Sequence, residues 1–492
     1  MVAAVILERA PRLPLCALAL ALAAALAPAG AAARSDAADS SSAAPRWALV
    51  LSGGAARGLA EIGVLRVLDQ EGVRPDLVVG TSMGSIVGAL YAGGLSADEI
   101  ARRVGRMDWQ ALFDPRARPS LEWRGARTPA PWLQLVSRGR GFRLPSALLD
   151  ASPLDHELVL QLADADALAQ GDFDRLPIPL RAVAADVATT RPVVLRRGSV
   201  ARAVRASSSV PFAFPPMMDG GRLLVDGGLA SNLPAGTARA EGVDHILAVD
   251  VSYAPPDLSA HSSAITLLRV LFDRVNRRGQ TDTLAVGDRL VRLPLPGYGA
   301  ADFPLADSLM AIGERESRAV VREAIAAWGL QRTRPPSAPR DTLPPLRSAP
   351  RWVDGAGQPA ARAGRARALF GRVPAGPLTA AALGPGLSRV YRGDLFESAW
   401  PTFRAAGEST EMVVEVKDLD PAELAAAFAY DSDEFASANL TLTGRPARRG
   451  WPGYLRAGLT ARRYGAQLEG TAEPHALRRG AAAALVERPP DE

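Results

Sequence analysis

A G-x-S-x-G run, Gly80-Thr81-Ser82-Met83-Gly84, joins an apolar stretch at 77–79 to a helical pattern at 86–91. This order of strand, motif and helix is typical of a nucleophile elbow, a strained turn that exposes the serine hydroxyl. The flanking glycines leave room for strand and helix, and the helix N-terminus stabilises negative charge beside the serine. The pattern predicts a nucleophilic Ser82, although an isolated motif of this kind also fits a Gly-rich turn with an ordinary serine.

A second Gly-rich segment, Gly53-Gly54-Ala55-Ala56-Arg57-Gly58, follows an apolar strand at 47–51 and precedes apolar residues at helical spacing. Such a loop presents backbone N–H groups to an anion. It is not a P-loop, because no Gly-Lys-Ser/Thr follows, and Ala55 stands where a dinucleotide fingerprint needs its second glycine. The loop therefore predicts an oxyanion hole, with Gly53 and Gly54 as the first candidate donors, each worth roughly 3–4 kcal/mol in the transition state.

A serine nucleophile needs a partner that accepts its proton. Asp226 ends an apolar strand at 222–225 and is followed by Gly227 and Gly228, which permit close approach to another backbone. A buried carboxylate can serve if its pKa rises toward the working pH, although Asp-Gly also fits a plain tight turn. The chain has four histidines, none of which follows a late strand in a recognisable loop: His156, His245, His261 and His475.

Together these segments resemble the patatin-like phospholipase family, whose signature is a G-G-x-x-R-G loop, a G-x-S-x-G elbow and a D-G-A/G motif in that order. The runs 206–211, 214–216 and 232–234 also look like bacterial members, and the resemblance spans roughly residues 46–330. It implies that Ser82 is the nucleophile and Asp226 the base of a Ser–Asp dyad. It further implies an oxyanion hole at Gly53, Gly54 and the neighbouring amides of Ala55, Ala56, Arg57 and Gly58.

The implied activity is calcium-independent hydrolysis of acyl esters in phospholipids or lysophospholipids at a membrane surface, through an acyl-enzyme and without cofactor or metal. The chain departs from the family at Ala55, where the loop usually has glycine. If that position needs a positive φ, the alanine costs about 1 kcal/mol. Two other hypotheses stay open: a Ser-His-Asp esterase, and a non-catalytic envelope protein with a vestigial α/β domain.

Alternating apolar strands and helical patterns, with candidate catalytic residues at strand ends, predict an α/β fold. By resemblance this is a three-layer patatin-like sandwich around a central, mostly parallel sheet. The 492 residues are enough for two or three domains. The net charge of +5 does not indicate nucleic acid, because arginine abounds in an alanine-rich chain and no basic run alternates with aromatic residues.

The amino terminus is typical of an exported protein. Residues 1–33 have two arginines, a short apolar stretch and small residues before Ala33, which predicts a secretory signal peptide. Cleavage there would remove Cys16, the only cysteine, and a polar linker at 34–45 follows. The expected location is the periplasm, the outer membrane or the medium.

The carboxy-terminal third is less regular. A Pro-rich linker at 331–349 leads to 350–418, which resembles a POTRA-like module that could contact outer-membrane components. The remaining 419–492 alternate like membrane strands but are too few to close a barrel, so we expect a truncated barrel, a partial barrel with partners or a soluble tail. An aromatic-studded stretch at about 107–152 predicts either a lipid-contacting lid or core residues under a long loop.

Overall fold

The computed structural model describes residues 45–112, 133–138, 141–143, 147, 149–252, 284–332, 346–372, 380–391, 396–419, 422–431, 435–444, 453–462, 465–474 and 484–486. The predicted signal peptide and nearly all of the polar linker lie outside this set. Among the described helices, none combines the length and the hydropathy that crossing a bilayer requires.

The strands, in chain order, are β1 (Trp47–Leu51), β2 (Leu77–Thr81), β3 (Leu133–Arg138), β4 (Gly141–Arg143), β5 (Leu180–Asp186), β6 (Pro192–Leu195), β7 (Met217–Asp219), β8 (Arg222–Asp226), β9 (His245–Asp250), β10 (Arg289–Arg292), β11 (Arg351–Val353), β12 (Phe396–Ala406), β13 (Ser409–Asp418), β14 (Ala422–Asp431), β15 (Phe435–Gly444), β16 (Gly453–Arg462), β17 (Gly465–Pro474) and β18 (Ala484–Val486). The helices are α1 (Ala60–Glu71), α2 (Met83–Ala92), α3 (Ala97–Gly105), α4 (Trp109–Leu112), α5 (Ser152–Gln161), α6 (Ala163–Ala169), α7 (Val200–Ser207), α8 (Ala235–Ala240), α9 (Ala306–Trp328), α10 (Ala363–Phe370) and α11 (Ala380–Tyr391).

The central sheet has the order β10-β9-β1-β2-β5-β8-β7, and β6 also pairs with β5. The five strands from β10 to β5 run parallel, β6 and β8 pair antiparallel with β5, and β7 pairs antiparallel with β8. The predicted α/β fold with a mostly parallel sheet is therefore confirmed. Because β1, β2 and β5 are neighbours and parallel, the loops after them open at one edge of the sheet.

Both faces of this sheet are buried, which explains the almost uninterrupted apolar strands. Leu49, Leu51 and Val78 face the larger core cluster, which helices α1, α2 and α7 help to form. Val50 and Val79 face the opposite cluster, where α8 packs. Helices therefore cover the sheet on two sides and make three layers.

The described residues within 350–418 form a small α/β arrangement in which β13 lies between β11 and β12, beside α10 and α11. This part packs against α5, where the Ser152 hydroxyl donates to the Glu397 carbonyl at 3.2 Å. His156 lies in the same contact, with its Nε2 2.9 Å from Ser388 Oγ. The POTRA-like interpretation stays a prediction.

Strands β14 to β18 form an antiparallel sheet that β3 and β4 extend. The sequence predicted irregular structure at 107–152, but Gln134 and Leu135 pair with Ala425 and Leu424 on β14. Their partner lies almost three hundred residues away, so local patterning carries no signal for it. The truncated-barrel interpretation of the tail stays a prediction.

Within the same stretch, Trp109 belongs to the core. Its ring stacks on Phe303 with centroids 4.3 Å apart, and its Nε1 donates to the Val104 carbonyl. The remaining aromatic residues on which the lid was predicted, at 113, 123 and 132, lie outside the described residues. For Trp109 the core alternative is therefore confirmed.

The crossing of α1 and α9 depends on two small residues. A Cβ added to Gly63 would lie 2.1 Å from the Met310 carbonyl oxygen, and one on Gly313 would lie 1.8 Å from that of Ala60. We expect Gly63→Ala to lower the free energy of unfolding by about 3 kcal/mol or more, because the backbones must separate. Urea denaturation followed by circular dichroism measures the change.

The matched control is Gly364→Ala in α10, where a Cβ would meet no atom within 4 Å. This variant should gain about 0.5–1 kcal/mol from helix propensity. Equal stability of the two variants would contradict the close helix contact.

Candidate active site

The elbow has the strained geometry that the motif predicts. Ser82 lies between β2 and α2 with φ 52° and ψ −123°, a conformation that costs a non-glycine residue about 1–3 kcal/mol. A Cβ on Gly80 would lie 2.5 Å from the Gly84 carbonyl oxygen, and one on Gly84 would lie 2.6 Å from that of Ser52. Side chains at these two positions would therefore push the helix away from the strands.

Neighbouring elements hold the Ser82 backbone in this conformation. Its N–H donates to Ser207 Oγ at 2.9 Å, and that hydroxyl donates in turn to the Val183 carbonyl at 2.6 Å. Its carbonyl accepts from the Ser85 hydroxyl at 2.7 Å. Strand β5 and helix α7 thus fix the strained turn, and the Ser82 side chain is left for other contacts.

Asp226 ends β8 and is brought to Ser82 by the pairing of β5 with β8. The Ser82 hydroxyl lies beside the Asp226 carboxylate and lowers its pKa, and the Gly228 N–H donates to Oδ1 of this carboxylate at 2.8 Å. Gly227 passes so close to β5 that an added Cβ would lie 2.0 Å from the Val183 carbonyl oxygen. The Asp-Gly-Gly segment is therefore a turn that also delivers a carboxylate to the serine.

Burial governs the acidity of this carboxylate. Asp226 is only 4% exposed, and desolvation raises its pKa from 3.8 to about 6. The Ser82 hydroxyl and the Gly228 N–H stabilise the ionised form and oppose that rise. The result is a carboxylate that is ionised at neutral pH yet basic enough to accept a proton.

The Gly-rich loop lies directly against the elbow. A Cβ on Gly53 would lie 3.2 Å from the Ser82 Cβ, and one on Gly58 would lie 2.4 Å from Met83 Cγ. A 3₁₀ turn spans Ala55–Leu59 and buries Arg57, so the loop leads straight into α1. The three motifs therefore meet at one place, as their order in the chain suggested.

Several N–H groups of this loop are already engaged. Gly53 donates to the Asn232 carbonyl at 3.1 Å, Ala56 to that of Ala300 at 3.1 Å, and Arg57 to that of Gly54 at 3.2 Å. Within the described residues, the N–H groups of Gly54 and Ala55 have no such partner. The amides of Gly54 and Ala55 are therefore better placed to bind an oxyanion than that of Gly53, which was one of the two first candidates from the sequence.

Asn232 is the residue that sequence reasoning missed. Its carbonyl accepts from the Gly53 N–H, and its side-chain amide donates to the Gly53 carbonyl at 3.0 Å and to Ser252 Oγ at 3.2 Å. Both polar groups of one glycine are therefore held by one asparagine from the loop after β8. The sequence signalled Asn232 only through the resemblance of the run 232–234 to bacterial family members, which gave this residue no role.

Ala55 adopts the backbone conformation that glycine prefers, with φ 49°. The departure from the family pattern therefore falls where it carries a cost of about 1 kcal/mol. The Ala55 N–H remains available as a donor. The alanine strains the loop without removing the group that an oxyanion would need.

The described histidines lie in other contacts. The His156 ring packs against that of Tyr391 at a tilt of 33° with centroids 4.9 Å apart, and His245 stacks on Trp328 at the same distance. The other two, at 261 and 475, lie outside the described residues. Among the residues that the structure describes, the partner of the Ser82 hydroxyl is the Asp226 carboxylate.

Comparison with known proteins agrees with this arrangement. Residues 49–239 match the profile of the family described as "Patatin-like phospholipase". The human "Patatin-like phospholipase domain-containing protein 6" is 33% identical over 232 residues, which are 46% of this chain and 15% of that protein. An "Uncharacterized NTE family protein" of Mycobacterium tuberculosis is 36% identical over 204 residues, 41% of this chain and 30% of that protein.

The chain thus spans less than a third of the length of either relative. The crystal structure of VipD from Legionella pneumophila superposes more loosely, with 13% identity and a TM-score of 0.33 over 57% of this chain and 67% of that one. The family match covers the Gly-rich loop, the elbow and the Asp-Gly-Gly turn in one continuous segment. Residues 49–239, which hold the candidate site, are therefore similar to the patatin-like phospholipase family.

Proposed function

We propose that the protein cleaves fatty acyl esters of phospholipids or lysophospholipids with Ser82 as nucleophile and Asp226 as general base. The observation that carries the proposal is that strand pairing on both sides of β5 brings the Ser82 hydroxyl beside the buried Asp226 carboxylate. The neighbouring loop presents the N–H groups of Gly54 and Ala55, for which the described part of the chain offers no partner. A nucleophile, a base and anion donors are the three parts that acyl transfer needs.

In the first step, Ser82 Oγ attacks the ester carbonyl carbon while its proton passes to the Asp226 carboxylate. The carbonyl oxygen gains the electron pair and accepts hydrogen bonds from the Gly54 and Ala55 amides. The tetrahedral intermediate then expels the glycerol oxygen, which takes the proton from Asp226. Ser82 is left acylated, and the deacylated lipid alcohol leaves.

In the second step, Asp226 accepts a proton from water as the water oxygen attacks the acyl carbon. The second tetrahedral intermediate uses the same amides, and its collapse returns the proton to Ser82 Oγ with release of the fatty acid. One carboxylate thus serves as base and acid in turn. Its pKa of about 6 suits both roles near neutral pH.

Ser82→Ala should lower the release of fatty acid from phospholipid vesicles at least about 10³-fold, because no other group can form the acyl-enzyme. Mass spectrometry of the released acids measures this activity. A serine-directed fluorophosphonate should label the wild-type protein and leave Ser82→Ala unlabelled.

Ser208→Ala is the matched control, because Ser208 is also buried but its hydroxyl donates to the Val204 carbonyl. Labelling and activity should persist in this variant and in His156→Ala and His245→Ala. Loss of activity in a histidine variant that still folds would favour the Ser-His-Asp esterase. A wild-type protein that neither labels nor releases fatty acid would favour the non-catalytic hypothesis.

The pH dependence of kcat/KM should report Asp226. Because the base must be ionised, kcat/KM is expected to fall about tenfold per pH unit below pH 6. Asp226→Asn should remove this limb together with at least about 10²-fold of the rate at pH 8. An acid limb that persists in residual Asp226→Asn activity would assign it to another group.

The thermal stability of Asp226→Asn should also depend on pH differently from that of the wild type. The pKa of Asp226 is higher in the folded chain than its ordinary value, so the folded carboxyl binds a proton more tightly than the unfolded one. This tighter proton binding stabilises the folded chain below about pH 4, and the stabilisation is lost as pH rises through 6. Asp226→Asn should therefore raise Tm relative to wild type at pH 8 and lose this advantage near pH 4.

We further propose that the protein is exported and that residues 350–418 contact outer-membrane components. The support is the signal-like composition of residues 1–33 and the resemblance of the later segment to a POTRA-like module. The mature protein should begin near residue 34 and sediment with the cell envelope. Recovery of the uncleaved chain from the cytoplasm would contradict this proposal.

A further inference from the structure

One edge of the central sheet is unusually apolar. Of the eight large apolar side chains that are exposed among the described residues, six lie between 187 and 223. Five of them form what we call the edge patch: Val187, Val210, Phe212, Met218 and Leu223. Clustering of this kind marks an interaction surface, whereas single exposed apolar residues carry no meaning.

The backbone connects most of the edge patch directly. Leu223 and Met218 are cross-strand partners in the hairpin of β7 and β8. The Val187 N–H donates to the Leu223 carbonyl at 2.9 Å. Val210 and Phe212 lie in the loop at 208–216, which leads into this hairpin.

Phe212 is the most exposed member, at 63%, and has φ 67°. A bulky aromatic residue is strongly disfavoured in this left-handed conformation, which glycine adopts without steric cost. Neither burial nor local backbone preference accounts for a phenylalanine at this position. Strained residues of this kind persist where their surroundings hold them, and they mark functional sites more often than chance allows.

Arg205 supplies the surroundings that hold the loop. This side chain is buried, pairs with Asp155 at 2.6 Å, and donates to Ser209 Oγ at 2.6 Å and to the Pro215 carbonyl at 3.4 Å. Its guanidinium carbon also lies 5.1 Å from the ring centroid of Phe214. Both ends of the loop are therefore anchored below the surface, and the outward position of Phe212 is built into the fold.

The loop starts at the wall of the candidate active site. The Ser209 carbonyl accepts from the Asp226 N–H at 2.8 Å, and Ser207 Oγ accepts from the Ser82 N–H. Phe212 follows Ser209 by three residues, so the edge patch continues from the site itself.

The charges around the patch suit a phospholipid surface. Arg191 lies in the turn that also contains Val187, and it forms no ion pair with any residue that the structure describes. Arg222 is half exposed and pairs with Asp219 at 3.3 Å, while Arg202 is shared between Asp219 and Glu415. An apolar tip beside an unpaired arginine is the combination that lets proteins bind the bilayer interface.

We propose that the edge patch, with Phe212 at its tip, docks the protein on a phospholipid bilayer and places the Ser82 site at the lipid surface. This inference deepens the proposed function and rests on it for the identity of the substrate. Phe212 and its neighbours insert among the acyl chains, and Arg191 contacts lipid phosphates. The site then receives its ester without the lipid leaving the bilayer for water.

Vesicle binding without turnover tests this proposal, with the full chain carrying Ser82→Ala as the parent. The probes are vesicles of phosphatidylcholine with and without phosphatidylglycerol, and flotation measures the bound fraction. Adding Phe212→Gly should weaken binding about tenfold or more, because a large apolar side chain is lost. The fold should survive this change, since φ 67° suits glycine.

The matched control is Val286→Ser. Val286 is fully exposed and precedes β10, at the opposite edge of the sheet from β7. This variant should bind vesicles like the parent. Arg191→Gln should weaken binding several-fold only when phosphatidylglycerol is present. Equal binding of the parent and Phe212→Gly would overturn the proposal.

Kinetics with Ser82 restored separate this inference from the proposed function. Phe212→Gly should slow hydrolysis of vesicle phospholipid about tenfold and leave hydrolysis of soluble p-nitrophenyl acetate unchanged. Absence of hydrolysis in every variant, with vesicle binding still sensitive to Phe212, would reject the proposed function alone. If Phe212→Gly instead converts a dimer into a monomer in analytical ultracentrifugation with vesicle binding intact, the patch is a self-association surface and docking is rejected.

Discussion

The close contact between the elbow and the first strand is the constraint on which the site depends. Gly84 approaches the Ser52 carbonyl so closely that no Cβ fits, and Gly80 is equally crowded by the first turn of α2. This contact lets α2 begin directly after Ser82, so that the serine lies at the apex of the turn and at the N-terminus of the helix. Any side chain there would move the helix and take the hydroxyl away from Asp226.

Asp226 shows how opposed effects set the chemistry of a buried group. Desolvation raises the pKa of its carboxyl, whereas the Ser82 hydroxyl and the Gly228 N–H stabilise the ionised form and lower that pKa. Together they bring the pKa to about 6. The close passage of Gly227 past the Val183 carbonyl places the carboxylate where both effects act. Geometry and acidity thus come from the same short turn.

The sequence predicted the parts of the site that short motifs encode and missed those that depend on distant contacts. Ser82 and Asp226 lie together although β8 runs antiparallel to β5, because Asp226 pairs with Ala184 near the carboxyl end of β5, next to the end of β2. The Gly53 N–H donates to the carbonyl of Asn232, a residue 179 positions away, and no local sequence pattern predicts this hydrogen bond. The strand at 133–138 was missed for the same reason, because its partner is β14.

Backbone strain is concentrated around the candidate site. Among the described residues, five other than glycine have a positive φ, and four of them surround the site or the edge patch: Ala55, Ser82, Thr190 and Phe212. Each has a distinct restraint, such as the Ser207 hydroxyl for Ser82 and the bond from the Thr190 N–H to the Asp186 carbonyl. Strain of this kind lowers stability, so it persists only where rigid neighbours enforce it. The sheet and α7 supply that rigidity, which explains why one well-packed scaffold presents both a strained nucleophile and a strained apolar tip.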